Sequence, residues 1–145
     1  MRLTAYTDYS LRTLMYLAIN DRARATIADI AAANDISLNH LTKVVHQLGV
    51  HGDVETVRGR HGGLRLGRPA AEINLGAVVR RTEPDMQLVP CFGGACVISP
   101  ECVLQHALEA ALQAFLAVLD GYTLADLAAP GQRLAALFGI ADIAA

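Results

Sequence analysis

The sequence predicts a mainly α-helical fold: a winged helix-turn-helix DNA-binding domain with a β-hairpin wing, followed by a long C-terminal dimerisation helix. Three observations predict it. Two short amphipathic helices joined by a tight turn lie within residues 26–52, a glycine-rich basic hairpin follows at 54–69, and a long apolar helical pattern ends near residue 120.

A chain of 145 residues is long enough to bury one core. The expected organisation is a DNA-binding domain over 1–82, a cysteine loop over 83–102, a dimerisation helix with a short following helix over 103–129, and a tail over 130–145 of unassigned role. Over half of the residues are apolar, yet no uncharged run approaches the roughly 18 residues of a membrane span. The opening MRLTAYTDYSLRTL is broken by Asp8 and Arg12 and lacks a signal-peptide core, so a cytoplasmic protein is expected. Net charge is −2, but it is unevenly spread. Residues 1–82 hold eleven Lys and Arg against seven Asp and Glu, or +4, whereas 83–145 hold one against seven, or −6. A polyanion partner for the first part is one account of that split, and ordinary solvated faces are another.

Residues 8–20 read as a helix capped by Thr7, with Leu11, Leu14, Met15 and Ala18 on one face and an Asp8–Arg12 pair on another. Thr26 and Asp29 form a capping box that opens a short helix through about Ala33, and Asn34 is the candidate for a left-handed turn. Ser37 caps the next helix and Gly49 ends it. Leu41, Val44, Val45 and Leu48 make its buried stripe. The opposite face carries Asn39, Lys43, His46 and Gln47, with Leu38 and His40 near the N-terminal end. Such side chains can donate to base edges or phosphates, although a solvated helix face accounts for them equally well.

Val54–Val57 and Leu64–Leu66 read as two strands. Between them, Arg58-Gly59-Arg60-His61-Gly62-Gly63 has glycines for a tight reversal and basic side chains for phosphates or a narrow minor groove. A helix-turn-helix followed by this hairpin makes DNA binding the expected role, with Leu38, Asn39, His40, Lys43, Arg58, Arg60, His61 and Gly62 as contacts. Asn74 caps a further helix with Leu75, Val78 and Val79 turned inward and Arg80 and Arg81 at its end. Ser99-Pro100-Glu101 is a helix start signal, and the helix it opens runs to about Asp120. Leu104, Leu108, Ala111, Leu112, Phe115, Leu116 and Leu119 leave that helix too apolar to stand alone, so burial against its own copy is expected. Thr123 and Asp126 cap a last short turn of helix.

All three cysteines lie in CFGGACVISPEC, at Cys91, Cys96 and Cys102. An odd number of thiols in a reducing compartment argues against a structural disulfide. Zinc is one reading, although its usual short Cys knuckle is present only at the limit of spacing. A redox thiol is another, with Cys102 activated in the first turn of a helix. An iron–sulfur cluster suits a roomy loop, where Phe92-Gly93-Gly94-Ala95 offers space and backbone donors. No nucleophile–base motif, phosphate loop or paired catalytic carboxylates occur, so an enzyme is not expected.

MRLTAYTDYSLRTLMYLA, ISLNHLTKVVHQLG, RGRHGGLRLGRP, the C-x₄-C-x₅-C loop and YTLADL, in this order, resemble the winged-helix iron–sulfur regulators, a family that includes IscR, and within it the nitric-oxide-sensing repressors. The likeness spans about residues 1–128. It implies a homodimeric repressor that binds palindromic operator DNA of nitrosative-stress genes and releases it when nitric oxide nitrosylates the cluster. It assigns Cys91, Cys96 and Cys102 as cluster ligands and, by position, Asp8 of the partner subunit as the fourth. An acid paired with Arg12 in a first helical turn needs no metal to account for it. A 4Fe–4S cluster is favoured over 2Fe–2S, because an oxygen-ligated iron is open to a small diatomic. A related regulator sensing cluster supply, iron or redox state is the alternative.

Overall fold

The computed structural model describes residues 2–21, 24–60, 62–93, 96, 98 and 101–140. The architecture is a winged helix: helices α1 (Ala5–Ile19), α2 (Ile27–Asn34) and α3 (Leu38–Val50), the hairpin β1 (Val54–Val57) and β2 (Gly63–Leu66), then α4 (Leu75–Thr82), α5 (Val103–Asp120), α6 (Leu124–Ala128) and α7 (Gly131–Phe138).

Helix α1 is the central element, packed against α2, α3, β2, α4, α6 and α7. Leu14, Leu17 and Ile19 are buried on it, and so are Thr7, Ser10 and Thr13. These hydroxyls are satisfied in place. Ser10 and Thr13 donate to the carbonyls of Tyr6 and Tyr9, and Thr7 donates to Thr82 Oγ1 at 2.9 Å. The helix begins three residues earlier than the sequence suggests. Thr4 is its cap, accepting from Thr7 N, and Glu83 braces that cap by accepting from Thr4 N at 2.8 Å and from Thr4 Oγ1 at 3.1 Å.

The capping box of Thr26 and Asp29 is present, with Asp29 Oδ2 accepting from Thr26 N at 2.8 Å. The left-handed residue of the turn is Asp35 (φ 53°, ψ 46°) rather than Asn34. Asn34 completes the helix instead, its amide donating to Ile30 O at 3.0 Å. Ser37 caps α3, and Leu41, Val44, Val45 and Leu48 are buried as the periodicity predicts. Gly49 does not end α3. The helix continues to Val50, and the positive φ falls on Gly52 (75°), where the chain reverses into β1.

The hairpin is antiparallel, with Val54 opposite Leu66 and Val57 opposite Gly63. Ala25 pairs with Leu64 on the outer side, Leu64 N donating to Ala25 O at 2.7 Å, so the wing is braced by the residue before the cap of α2. Gly67 lies so close to Gly52 that a side chain there would strike the Gly52 carbonyl.

Asn74 caps α4, accepting from Ala77 N at 3.0 Å. Its amide also donates to Asp120 O at 2.8 Å, and Arg80 holds the Asp120 carboxylate through two bonds of 2.5 and 2.7 Å. Gly76 permits this crossing, because a Cβ there would collide with Asp120. The last turn of α5 is thereby fixed to α4. Helix α5 begins at Val103 with Cys102 as its cap, later than the Ser99-Pro100 signal suggests; Ser99 and Pro100 lie outside the described residues. The tail is not featureless. Its helix α7 docks on α1, burying Ala135 and setting Phe138 edge-on to Tyr16 at 5.5 Å.

Candidate nucleic-acid interface and cysteine loop

Helix α3 presents Leu38, Asn39, His40, Thr42, Lys43, His46 and Gln47 outward. Among the described residues, Ser37 Oγ accepts from His40 N, and no acidic residue stands in the first turn. The helix therefore offers its positive dipole end and unsatisfied N–H groups beside Asn39 and His40, an arrangement suited to phosphate. Thr42 donates its hydroxyl back to Leu38 O. The His40 ring stacks on Tyr9 of α1 with centroids 6.3 Å apart, beside a cleft of about 160 Å³ lined by Tyr6, Tyr9, His40 and Lys43. Burial in that region raises the Tyr6 phenol above its ordinary value.

On the wing, arginines divide by partner. Arg65 pairs with Glu55 across the strands at 2.9 Å, and Arg68 is committed to Asp53. Arg58 and Arg60 are exposed and, among the described residues, engage no carboxylate. The reversal depends on Gly59 (φ 114°) and on Gly62, whose N–H bonds Gly59 O at 2.8 Å; a Cβ on Gly62 would lie 2.5 Å from Val57 O. His61 lies outside the described residues.

The cysteine loop leaves α4 at Glu83, the residue that braces Thr4. Cys91 sits in a 3-10 turn over Pro90–Gly93, where Phe92 N bonds Val89 O at 3.2 Å. Cys102 caps α5 with no side-chain bond to the helix. All three cysteines are free and half-buried. Gly94 and Ala95 of the expected cradle lie outside the described residues, and among the described residues no three His, Cys, Asp or Glu side chains converge. Three unpaired soft thiols flanking a glycine-rich turn fit an iron–sulfur cluster in number and chemistry and leave one position for another donor. Asp8, in the first turn of α1, is half-exposed and paired with Arg12 at 3.0 Å.

Only Leu112 and Leu116 of α5 are buried. Leu104, Ala111 and Val118 recur every seven residues on an exposed face, with Ala107 and Ala114 beside them. By length and a mean hydropathy of 1.2 the helix could cross a membrane. Its Asp120, however, is bound to Arg80, which holds the carboxyl below and the guanidinium above their ordinary values.

The family model for Rrf2, described as "Iron-dependent Transcriptional regulator", matches residues 3–130. The chain belongs to the Rrf2 family. It is 54% identical over 131 residues to the HTH-type transcriptional regulator NsrR of Geobacillus kaustophilus, covering 88% of this chain and 89% of that one. Among solved structures, CymR, the global cysteine regulator of B. subtilis, superposes with a TM-score of 0.75 at 27% identity, covering 89% of this chain and 97% of that one. The IscR of T. potens shares the fold, with a TM-score of 0.76 at 22% identity over 92% of this chain and 90% of that one. As an Rrf2 protein the chain is a DNA-binding transcriptional regulator. In this Rrf2 chain α3 and the hairpin carry the expected basic and polar groups on the surface, whereas Asp8 and the cysteines do not meet within one protomer among the described residues. Sequence reasoning missed Tyr9, which holds His40, and the buried Asp53 with its arginines. No local pattern marks either.

Proposed function

We propose that the chain is a cytoplasmic, homodimeric repressor that binds palindromic operator DNA of nitrosative-stress genes and releases it in response to nitric oxide. Cys91, Cys96 and Cys102, with Asp8 of the partner subunit, would hold an iron–sulfur cluster, 4Fe–4S in preference to 2Fe–2S. The observation that carries this reading is the trio of free, half-buried thiols joining α4 of the winged helix to α5, in a chain 54% identical to a regulator named NsrR.

On this reading two α3 helices sit about one helical turn of DNA apart. Asn39, His40 and Lys43, with Leu38 beside them, reach base edges or adjacent phosphates, while Arg58, Arg60, His61 and the Gly62 backbone work from the wing. When bound, the cluster would supply iron with which nitric oxide can react, and the thiolates of Cys91, Cys96 and Cys102 and the carboxylate of Asp8 of the partner subunit would hold it. Asp8 precedes Tyr9, and Tyr9 stacks on His40, so a tied or untied Asp8 bears directly on the reading helix. Asp8 has Arg12 as its alternative partner.

Anaerobic purification tests the proposal. The protein should be brown, contain iron and labile sulfide, and lose operator affinity on titration with nitric oxide; Cys96→Ala should be colourless and unresponsive. Colourless native protein without iron, or a coloured and responsive Cys96→Ala, would refute it. Loss of DNA binding with oxygen or chelator but not nitric oxide would favour a sensor of redox state or iron supply.

A further inference from the structure

We propose that Asp53 is a positioning residue for the DNA interface: its carboxylate holds the wing to α4 and so sets where Arg58 and Arg60 meet the duplex. The inference rests on the reading of those two arginines as DNA contacts.

Asp53 is fully buried. Its Oδ1 accepts from Arg68, through Nε at 3.0 Å and also through Nη2, and its Oδ2 accepts from Arg81 Nη2. Arg68 follows β2, and Arg81 lies on α4. One carboxylate thus joins the two ends of the hairpin to the helix that leads into the cysteine loop. Its backbone adds two more ties. Asp53 N donates to Leu48 O at 2.9 Å at the end of α3, and Asp53 O accepts from Gly67 N at 2.8 Å. Arg68 also donates to His51 O at 3.4 Å.

A packed hydrophobic cluster would hold this junction at least as firmly, since removing charges from water offsets much of their attraction. The arrangement has a visible cost besides. Among the described residues, Arg81 Nε is buried with no hydrogen-bond partner, so the guanidinium gives up a donor in order to reach Asp53. What a fixed two-armed carboxylate provides, and a greasy contact does not, is direction. The wing needs it. A two-stranded ribbon is marginal by itself, and β1 has four residues between Asp53 and the tip. At about 3.3 Å per residue the tip lies some 13 Å from its base, and a swing of roughly 10° there would carry Arg58 and Arg60 about 2 Å, beyond hydrogen-bond reach of a phosphate. The Ala25–Leu64 pairing braces one side of the ribbon, and Asp53 fixes its root.

The test is a double-mutant cycle on the anaerobically purified full-length protein. The probe is a duplex selected by the native protein from a random-sequence library. In the native background the pair Arg58→Ala and Arg60→Ala should weaken binding about tenfold or more and flatten the log–log salt slope by about 0.9 for each phosphate no longer neutralised. In an Asp53→Asn background the same pair should cost less than threefold and leave the slope unchanged, while Lys43→Ala on α3 keeps its full effect. Arg81→Gln, which opens the clamp from the helix side and leaves Asp53 paired with Arg68, should reproduce the result if Asp53→Asn folds poorly. Wing substitutions that cost as much in both clamp variants as in the native protein would overturn the proposal and leave the wing contacts standing. Wing substitutions that cost nothing in the native background would overturn the contact reading, and this inference with it.

Discussion

Replacing Leu104 with Asp tests whether α5 is the two-fold interface. Val103, Leu104 and Val118 are 79%, 66% and 62% exposed in the single chain. With roughly 2 kcal/mol for full burial of such a side chain, covering these three stabilises by about 4 kcal/mol per protomer, and two-fold symmetry doubles that to about 8 kcal/mol. Association itself costs on the order of 4–15 kcal/mol, so the interface has little to spare before half-buried neighbours such as Phe115 are added. Leu104→Asp removes about 1 kcal/mol of apolar burial from each copy and places an unpaired carboxylate there, which costs a further 1–3 kcal/mol or so on each side. The total of about 4–8 kcal/mol weakens the dimer by roughly a thousandfold or more. Sedimentation velocity at micromolar concentration should then report monomer, with helix content by circular dichroism unchanged, because Leu104 packs little within its own protomer. A dimer of undiminished affinity would refute the assignment of this face.

Lys43→Ala should weaken binding uniformly across DNA sequences and reduce the salt slope by about one, read by fluorescence anisotropy at several salt concentrations. Phe138→Ala should destabilise the fold by about 2 kcal/mol, half the usual Phe→Ala value because the ring is half-buried, and lower the melting temperature by roughly 4–8 °C in a thermal scan. Asp29 is held below its ordinary value by the hydroxyl and backbone N–H of Thr26, and Asp126 by the backbone N–H and hydroxyl of Thr123. Because the folded-state values are the lower ones, this support is complete above the unfolded-state value and is lost as pH falls through the folded one. The melting temperature of Asp29→Asn/Asp126→Asn should therefore fall less steeply than that of the native chain on acidification through and below the ordinary aspartate range.

Much of the fold was legible because caps and stripes are local. Thr26 with Asp29, Ser37, Asn74, and Thr123 with Asp126 each close a bond within three residues, so their spacing states their role. Misplacements occurred where a distant partner decides. Thr4 rather than Thr7 starts α1, because Glu83 reaches across to it and Thr7 is taken by Thr82. The left-handed positions fell on Asp35 and Gly52, one and three residues beyond the expected sites, because both helices run on past them. Helix α7 lies in the tail that the sequence left unassigned, and it docks on α1 with Phe138 against Tyr16. For the candidate site, spacing reveals the three cysteines and the basic wing, because identity alone marks them. It hides Asp53, whose partners lie 15 and 28 residues away.

The bond between Thr4 and Glu83 spans 79 positions. The cap of α1 therefore cannot be braced until α4 has been made, and α7 must emerge before the far side of α1 is covered. Closing loops of that length is slow relative to forming the caps of α2 and α3. The reading helix and its neighbour are thus free to form early during synthesis, while the segment bearing Asp8 is among the last to be enclosed.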